Sequence, residues 1–166
     1  MEINKSSRHQ KIIGHFGEQL ICNFLSRSGF EVTIIDHTGI DILAYCVETK
    51  KRIGITVKSR TRAINTEDDS VNLFSYRNGK NDRQKILDAC QAFACEPWIG
   101  IYVEKTNNAD IYITSLDNYD KKYRGIKNRA IDGWKMGNKY LDLYENDSDV
   151  KHIHYEFNVT NWTWNK

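Results

Sequence analysis

Residues 39–44, GIDILA, and residues 55–60, ITVKSR, decide the fold of this chain. Both stretches are rich in β-branched residues, and the polar residues 48–51 separate them, which is typical of two strands in an antiparallel hairpin. Alternate residues of a strand share a face, so Thr56 and Lys58 point to the same side of the second strand. Because the second strand folds back on the first, we expect Asp41 and Lys58 at the same end of the sheet.

The sequence on either side of this hairpin predicts further helices and strands. Apolar residues recur at helical spacing through residues 7–28, and Ser28 with Gly29 supplies the end of an amphipathic helix. Residues 63–79 have no clear period and predict a long loop. The remaining predictions are strands at residues 30–36, 98–104 and 110–116 and a second helix at residues 80–95. A strand-helix-strand crossover between the third and fourth strands favours an α/β fold with a mixed β-sheet flanked by helices, in the order αβββαββ.

Length and composition favour one compact domain with an additional segment at one end. The chain has 166 residues with 40% apolar content, enough for one substantial core and cramped for two. Beyond Asp117 the regular pattern fades into a segment rich in tyrosine and tryptophan, which ends in a predicted strand at residues 152–159. We therefore expect residues 1–116 to form the core and residues 117–166 to form an aromatic-rich C-terminal extension packed on it.

Charge and cysteine content indicate which partners and which cellular environment to expect for the protein. The formal net charge is only +2, from 24 basic and 22 acidic side chains, so bulk charge does not indicate a nucleic-acid binder. Four cysteines without a CxxC spacing, behind a polar N-terminal segment, predict a reduced, cytoplasmic protein with structural thiols. No apolar run approaches the roughly 20 residues of a membrane-spanning helix, so we expect no membrane partner.

The residue types at the end of the hairpin predict a metal site. Glu18 falls at the edge of the apolar stripe of the first helix and can face the rim of the sheet. Glu18, Asp41 and the backbone carbonyl of Val57 would supply oxygen ligands that suit Mg²⁺, with Mn²⁺ as a substitute. A metal-bound water is then the natural nucleophile, and Lys58 can stabilise charge around a phosphate while Thr56 lines the site. The candidate catalytic residues are Asp41, Lys58, Glu18 and Thr56.

Together with GHFGE at residues 14–18 and GFEV at residues 29–32, the two hairpin stretches resemble the PD-(D/E)XK superfamily of nucleases. This superfamily includes restriction endonucleases and archaeal-type Holliday junction resolvases, and the resemblance spans about residues 8–116. It implies a restriction endonuclease-like core and magnesium-dependent cleavage of DNA. It also implies that Asp41 is the metal ligand, Glu18 the helical acidic residue and Lys58 the motif lysine, and that a homodimer is a candidate assembly.

Thr56 departs from the pattern of this superfamily, which usually has Asp or Glu two residues before the lysine. A neutral hydroxyl is a poor substitute for a carboxylate at magnesium. Asp36 does not replace it by simple strand parity, because a turn separates Asp36 from Asp41. The first hypothesis is therefore a metal-dependent nuclease that hydrolyses phosphodiester bonds of DNA. The alternatives are a catalytically inactive nucleic-acid-binding module of the same fold and, more weakly supported, a structural or protein-interaction domain.

Several basic and polar residues near the motif predict contacts with nucleic acid, although a solvated helix start is the favoured interpretation of Gln84. These residues are Ser59, Arg60, Arg62, Arg77, Lys80 and Gln84. A second basic stretch, residues 121–140, is interleaved with aromatic residues and predicts either a nucleic-acid arm or a solvated face. His152 and His154 share one face of a predicted strand at a spacing compatible with zinc. No third ligand stands near them in the sequence, so a partly exposed edge strand is the favoured interpretation.

Overall fold

The computed structural model of the protein describes residues 5–79, 81–125 and 130–158. Within these ranges no helix is long and apolar enough to cross a membrane. The chain begins with helix α1 (His9–Arg27), which is followed by strands β1 (Phe30–His37), β2 (Ile40–Cys46) and β3 (Arg52–Thr61). The predicted first helix and three following strands are confirmed.

A six-stranded mixed sheet forms the centre of the molecule, with the strand order β1-β2-β3-β5-β6-β8. Only β3 and β5 run parallel, and α2 connects them, as the predicted crossover requires; the other neighbours are antiparallel. The elements after β3 are β4 (Val71–Ser75), α2 (Asp82–Ala92), β5 (Glu96–Glu104), β6 (Asn108–Ser115), α3 (Leu116–Asn118), β7 (Ile131–Trp134), α4 (Asn138–Glu145) and β8 (Lys151–Glu156). The protein is therefore an α/β protein whose central, mostly antiparallel sheet is flanked by helices.

Strand β4 lies inside the segment predicted to be a loop, so the predicted element order is not confirmed in full. Val71, Leu73 and Phe74 are buried, and the strand pairs with β7 in a separate two-stranded sheet. The two partners lie about sixty residues apart along the chain, and a strand stabilised by so distant a partner leaves little local signal. The division into residues 1–116 and 117–166 stays a prediction, although β7 and β8 of the second range pair with strands of the first.

Apolar side chains fill a separate core on each face of the sheet. On one face α1 packs over residues such as Ile55 and Ile111. On the other face α2 and the aromatic residues of the C-terminal segment pack together, and Trp134 stacks on Tyr144 with ring centroids 4.0 Å apart. Packed side chains therefore cover much of the sheet on both faces.

Helix α1 approaches β3 closely at Gly17. A Cβ atom at this position would collide with Oγ of Ser59 and would lie 3.1 Å from Cβ of Tyr102. The absence of a side chain therefore lets the helix axis lie near the strand. Since Glu18 is the next residue, this contact determines where its carboxylate stands relative to the end of β3.

Candidate functional site

Asp41 lies where strands β2 and β3 separate. The paired ladder between the two strands ends at Ile42 and Ile55, one residue short of Asp41. Beyond this point the backbone N–H of Val57 donates a hydrogen bond to Oδ2 of Asp41 at 2.6 Å. The carboxylate thus takes the place of a strand carbonyl and caps the open end of the ladder. We call this point the strand fork.

Thr56 connects Asp41 to Lys58 at the strand fork. Its hydroxyl donates to Oδ2 of Asp41 at 3.3 Å and accepts a hydrogen bond from Nζ of Lys58, also at 3.3 Å. Thr56 is buried and Lys58 is half-buried, so the row is only partly open to solvent. Among the described residues no carboxylate forms a salt bridge with Lys58. Its ammonium therefore remains available to an anionic ligand.

Glu18 on α1 is half-buried and faces the charges of the strand fork. Burial raises the pKa of Glu18, and repulsion from the Asp41 carboxylate raises it further, while His15 and Lys58 act in the opposite direction. A carboxyl group with a raised pKa beside a second carboxylate is an environment that a divalent cation would relieve. Glu18, Asp41 and Lys58, which the sequence predicted as one set, therefore act on one another electrostatically in the folded chain.

A third acidic residue, Asp36, also lies within electrostatic reach of the fork. The register of β1 against β2 shifts between Ile34 and His37, so that two residues of β1 stand opposite the single residue Asp41. After burial and the Asp41 carboxylate, Asp36 makes a smaller contribution to the raised pKa of Glu18. Strand parity excluded Asp36 from the site because parity assumes a regular strand, and no local pattern in the sequence announces the bulge.

The residues predicted to contact nucleic acid have different environments. Ser59 is buried against Gly17, and Arg60 donates to the carbonyl of Ser59 at 2.7 Å. Arg62 donates to the carbonyls of Asp69 and Ser70 at 3.2 and 2.8 Å, which ties the following loop to the end of β3. Each of these three residues therefore already makes a contact within the fold. Any contact with nucleic acid would be made in addition to it.

The other three predicted contacts lie between β4 and α2. Arg77 is exposed in the turn after β4. Gln84 is exposed on the first turn of α2 and donates to the Asp88 carboxylate at 2.7 Å. Lys80 lies outside the described residues. A binding role of Arg77, Lys80 and Gln84 stays a prediction.

The basic stretch at residues 121–140 carries several charges that are already paired. Lys121 contacts Asp117 at 2.6 Å, and Lys122 contacts Asp147 at 2.8 Å. Nε of Arg124 lies 3.0 Å from the buried carboxylate of Asp132. Lys127 and Arg129 lie outside the described residues. These ion pairs favour the interpretation of a structured surface over that of a free nucleic-acid arm.

A second group of metal-ligating side chains lies at the other side of the sheet. Oδ1 of Asp110 is 2.9 Å from Nε2 of His152 and 2.7 Å from Nδ1 of His154. Burial alone would raise the pKa of Asp110, but the hydrogen bonds with the two imidazoles and the Lys105 ammonium together lower it. The prediction that the two histidines lack a third ligand is wrong, because β6 brings Asp110 opposite His154. Only knowledge of that strand pairing could have revealed it.

An apolar cavity of about 470 Å³ lies beside α1, away from these polar groups. Its lining includes Ile21, Phe24, Trp98, Ile111 and Ile153, and it includes none of Glu18, Asp41 and Lys58. The polar groups of the strand fork therefore lie outside this pocket and form a separate open site.

Comparisons with known proteins are informative at the level of structure. No protein-family model and no curated protein sequence matches the chain. The fold is similar to the structure of Hjc, a Holliday junction resolvase from the archaeal hyperthermophile Archaeoglobus fulgidus, with a TM-score of 0.54 and 12% sequence identity. The similarity covers 78% of this chain and 88% of the resolvase chain. At this level of identity the comparison shows similarity of fold alone: the central mixed sheet flanked by helices is similar to the fold of this resolvase.

Proposed function

We propose that this protein is a metal-dependent nuclease that hydrolyses phosphodiester bonds of DNA at the strand fork. The observation that carries the proposal is the mutual arrangement of Glu18, Asp41 and Lys58, two carboxylates and an ammonium that influence one another at the end of the sheet. The similarity in fold to a protein described as a Holliday junction resolvase supports the proposal.

Glu18, Asp41 and the carbonyl of Val57 hold the metal ion, Mg²⁺ or Mn²⁺, in this proposal. Oδ2 of Asp41 already accepts two hydrogen bonds, whereas no hydrogen bond to Oδ1 is found among the described residues, so Oδ1 can serve as a ligand. The N–H and C=O of a strand residue leave the backbone on the same side, and the N–H of Val57 points to Asp41. The pKa of Glu18 is raised, first by burial and then by Asp41. A bound cation would stabilise the ionised form of this carboxylate, which supports its role as a ligand.

Lys58 and Thr56 have separate roles in this mechanism. The Lys58 ammonium would stabilise the negative charge that develops on the scissile phosphate, and a metal ion held by Glu18 and Asp41 would supply the Lewis acidity that activates water as a nucleophile. Thr56 does not replace the missing carboxylate as a ligand but orients Asp41 and Lys58 through its hydroxyl. Asp36, on the bulge of β1, adds negative charge near the site and compensates in part for the acid that position 56 lacks.

The wider features of the proposal concern partners and location. DNA is the partner, and a homodimer and a cytoplasmic location remain predictions from the sequence. In this proposal the backbone of the DNA passes beside the strand fork, from the end of β3 towards the start of α2. The residues that would contact it are Ser59, Arg60, Arg62, Arg77, Lys80 and Gln84.

Cleavage assays with matched variants test the nuclease function. Purified protein is incubated with linear, branched and single-stranded DNA in the presence of Mg²⁺ or Mn²⁺. We expect cleavage by the wild type and a loss of about 100-fold or more in Glu18→Gln, Asp41→Asn and Lys58→Met, because each removes a charge that acts on the reacting groups. Glu48→Gln, in the turn at the far end of the β2–β3 hairpin, is the control and should cleave normally. Equal activity in all five proteins would refute the proposal.

Thr56 favours a second candidate function, a nucleic-acid-binding module that lacks cleavage activity. Such a module would bind DNA in a salt-dependent manner, and binding would survive Asp41→Asn. Robust cleavage by the wild type would eliminate it. Thr56→Glu tests the position of residue 56, since an added carboxylate at the fork should strengthen Mg²⁺ binding. An unchanged or lower affinity would mean that residue 56 does not face the metal.

A further inference from the structure

A cluster of three potential metal ligands occupies one face of strands β6 and β8. In the antiparallel register Asp110 stands opposite His154, and Tyr112 stands opposite His152. Directly opposed residues of two antiparallel strands point to the same face of the sheet, which is why both imidazoles reach the same carboxylate oxygen. The cluster therefore follows from the pairing of two strands that are stable elements of the sheet.

The distances within the cluster are close to those of a zinc site. The ligand atoms of Asp110, His152 and His154 all lie within 4.8 Å of one another, and each imidazole nitrogen is less than 3 Å from Oδ1 of Asp110. Around a tetrahedral zinc ion with bonds of about 2.0–2.1 Å, adjacent ligand atoms are separated by roughly 3.3 Å. Binding an ion between the three side chains would move each imidazole nitrogen about half an ångström away from Oδ1 of Asp110.

Neighbouring residues hold two of the three ligands in place. The ring of His152 stacks on buried Tyr112, with centroids 4.4 Å apart and planes within 5°. Asp110 is only 4% exposed, and its second oxygen, Oδ2, lies 3.5 Å from Nζ of Lys105. His154 is exposed and gives an ion access from solvent. Two fixed ligands and one accessible ligand are suited to capturing a metal from solution.

We propose that Asp110, His152 and His154 form a zinc-binding site with three protein ligands and a fourth position open to solvent. A bound ion would join the edge strand β8 to β6 through side chains as well as through the backbone ladder. The site is separate from the strand fork, because β2 and β6 are three strands apart in the sheet, or about 14 Å. Its two histidines and one carboxylate select zinc over magnesium, whereas the oxygen ligands of the fork select magnesium.

Lys105 makes the proposal sharply testable. Its ammonium sits on the unused oxygen of Asp110, so it orients the carboxylate but also repels a bound cation. Replacing Lys105 with glutamine removes the charge and keeps a group that can hydrogen-bond. Zinc should therefore bind more tightly to Lys105→Gln than to the wild type, whereas a mere hydrogen-bonded cluster gives no reason for such a change.

Calorimetric titration of the metal-free, full-length protein with Zn²⁺ tests the site. We expect one equivalent to bind, with affinity lowered at least about tenfold in His154→Gln and Asp110→Asn, since even the loss of an outer-shell partner costs that much. His9→Gln, which removes a histidine at the start of α1, should bind zinc as the wild type does.

A spectroscopic measurement keeps the test valid if a variant is less stable. Co²⁺ added to the wild type should give the visible absorption of a four-coordinate ion, and Zn²⁺ should abolish it. Circular dichroism checks that each variant is folded before its affinity is compared. The proposal is overturned if the wild type binds no stoichiometric zinc, if His154→Gln binds as tightly as the wild type, or if zinc binding is lost equally in His9→Gln.

Discussion

At the scale of single residues, the carboxylates of Glu18 and Asp41 repel each other at the strand fork, and a metal ion would reduce this repulsion. Glu18 is half-buried beside the Asp41 carboxylate, and Lys58, which donates to the Thr56 hydroxyl, offsets this repulsion only in part. Removing water from a carboxylate and placing it beside a second one both disfavour its ionised form. The ionised Glu18 therefore costs the metal-free protein some stability, as is frequent at functional sites.

The pH dependence of stability should reveal this cost. Because burial and Asp41 raise the pKa of Glu18 in the folded state, the ionised group destabilises the fold. The cost is absent below the pKa of the unfolded chain and develops fully as the pH rises through the folded pKa. We therefore expect metal-free Glu18→Gln to melt above the wild type at pH 7 and at a similar temperature near pH 3, as measured by circular dichroism.

The same melting experiment with Mg²⁺ should give the reverse order. Magnesium bound at the proposed site would stabilise the folded wild type by mass action, whereas Glu18→Gln would lose a proposed ligand and gain less. Glu48→Gln is the matched control and should follow the wild type with and without the ion. A metal-free Glu18→Gln protein that melts below the wild type at pH 7 would contradict the electrostatic account of the fork.

At the scale of the elements, α1 positions the fork through its contact with β3. Gly17 lies against Ser59, while Gly14, one turn earlier in the same helix, has no atom within 4 Å of a potential Cβ. Both glycines lie within the same helix, but a methyl group would clash with neighbouring atoms at Gly17 and would contact none at Gly14. This difference offers a controlled way to move α1 relative to the sheet.

Alanine substitution should have opposite effects at the two glycines. Gly17→Ala forces the helix away from Ser59 and Tyr102 and should lower the free energy of unfolding by about 1–3 kcal/mol. Gly14→Ala gains helix propensity in open space and should raise it by about 0.5–1 kcal/mol. Urea denaturation measures both. If Gly17→Ala is as stable as the wild type, α1 does not pack on β3 as closely as described here.

The elements also show which features the sequence could predict and which it could not. Helix α1 and the β2–β3 hairpin have local signals, an apolar stripe and alternating strands around a polar turn. These elements, and the position of Asp41 and Lys58 at the same end of the hairpin, were therefore predictable. The pairing of β4 with β7, the bulge that carries Asp36 and the meeting of Asp110 with His154 depend on partners distant in the chain. No window of local sequence contains that information.

At the scale of the whole molecule, the basic side chains divide into paired and accessible sets. Lys121, Lys122 and Arg124 form ion pairs with carboxylates of the C-terminal segment. Arg77 is exposed between β4 and α2, and no carboxylate among the described residues pairs with it. With a net charge of only +2, binding to DNA must depend on such local groups rather than on the overall charge.

The salt dependence of DNA binding should distinguish these two sets. A cation that contacts a phosphate releases counterions, and each contact contributes about −0.9 to the slope of log affinity against log salt concentration. We expect Arg77→Gln to make the slope shallower by about one, as measured by fluorescence anisotropy over a salt series. Lys121→Gln removes a cation that is already paired with Asp117 and should leave the slope unchanged. Equal slopes in the wild type and Arg77→Gln would exclude Arg77 from the phosphate contacts.

The hydrogen bond from the Val57 N–H to Asp41 has a consequence for the history of this fold. Since the carboxylate completes the end of the β2–β3 ladder, its loss strands a backbone donor at a cost of about 1–3 kcal/mol, whatever the chemistry of the site. A descendant that had given up cleavage would thus still be selected to keep Asp41, while Glu18 and Lys58 would be free to drift. Among relatives, conservation of Asp41 alone would indicate a structural role, whereas conservation of Glu18 and Lys58 together would indicate catalysis.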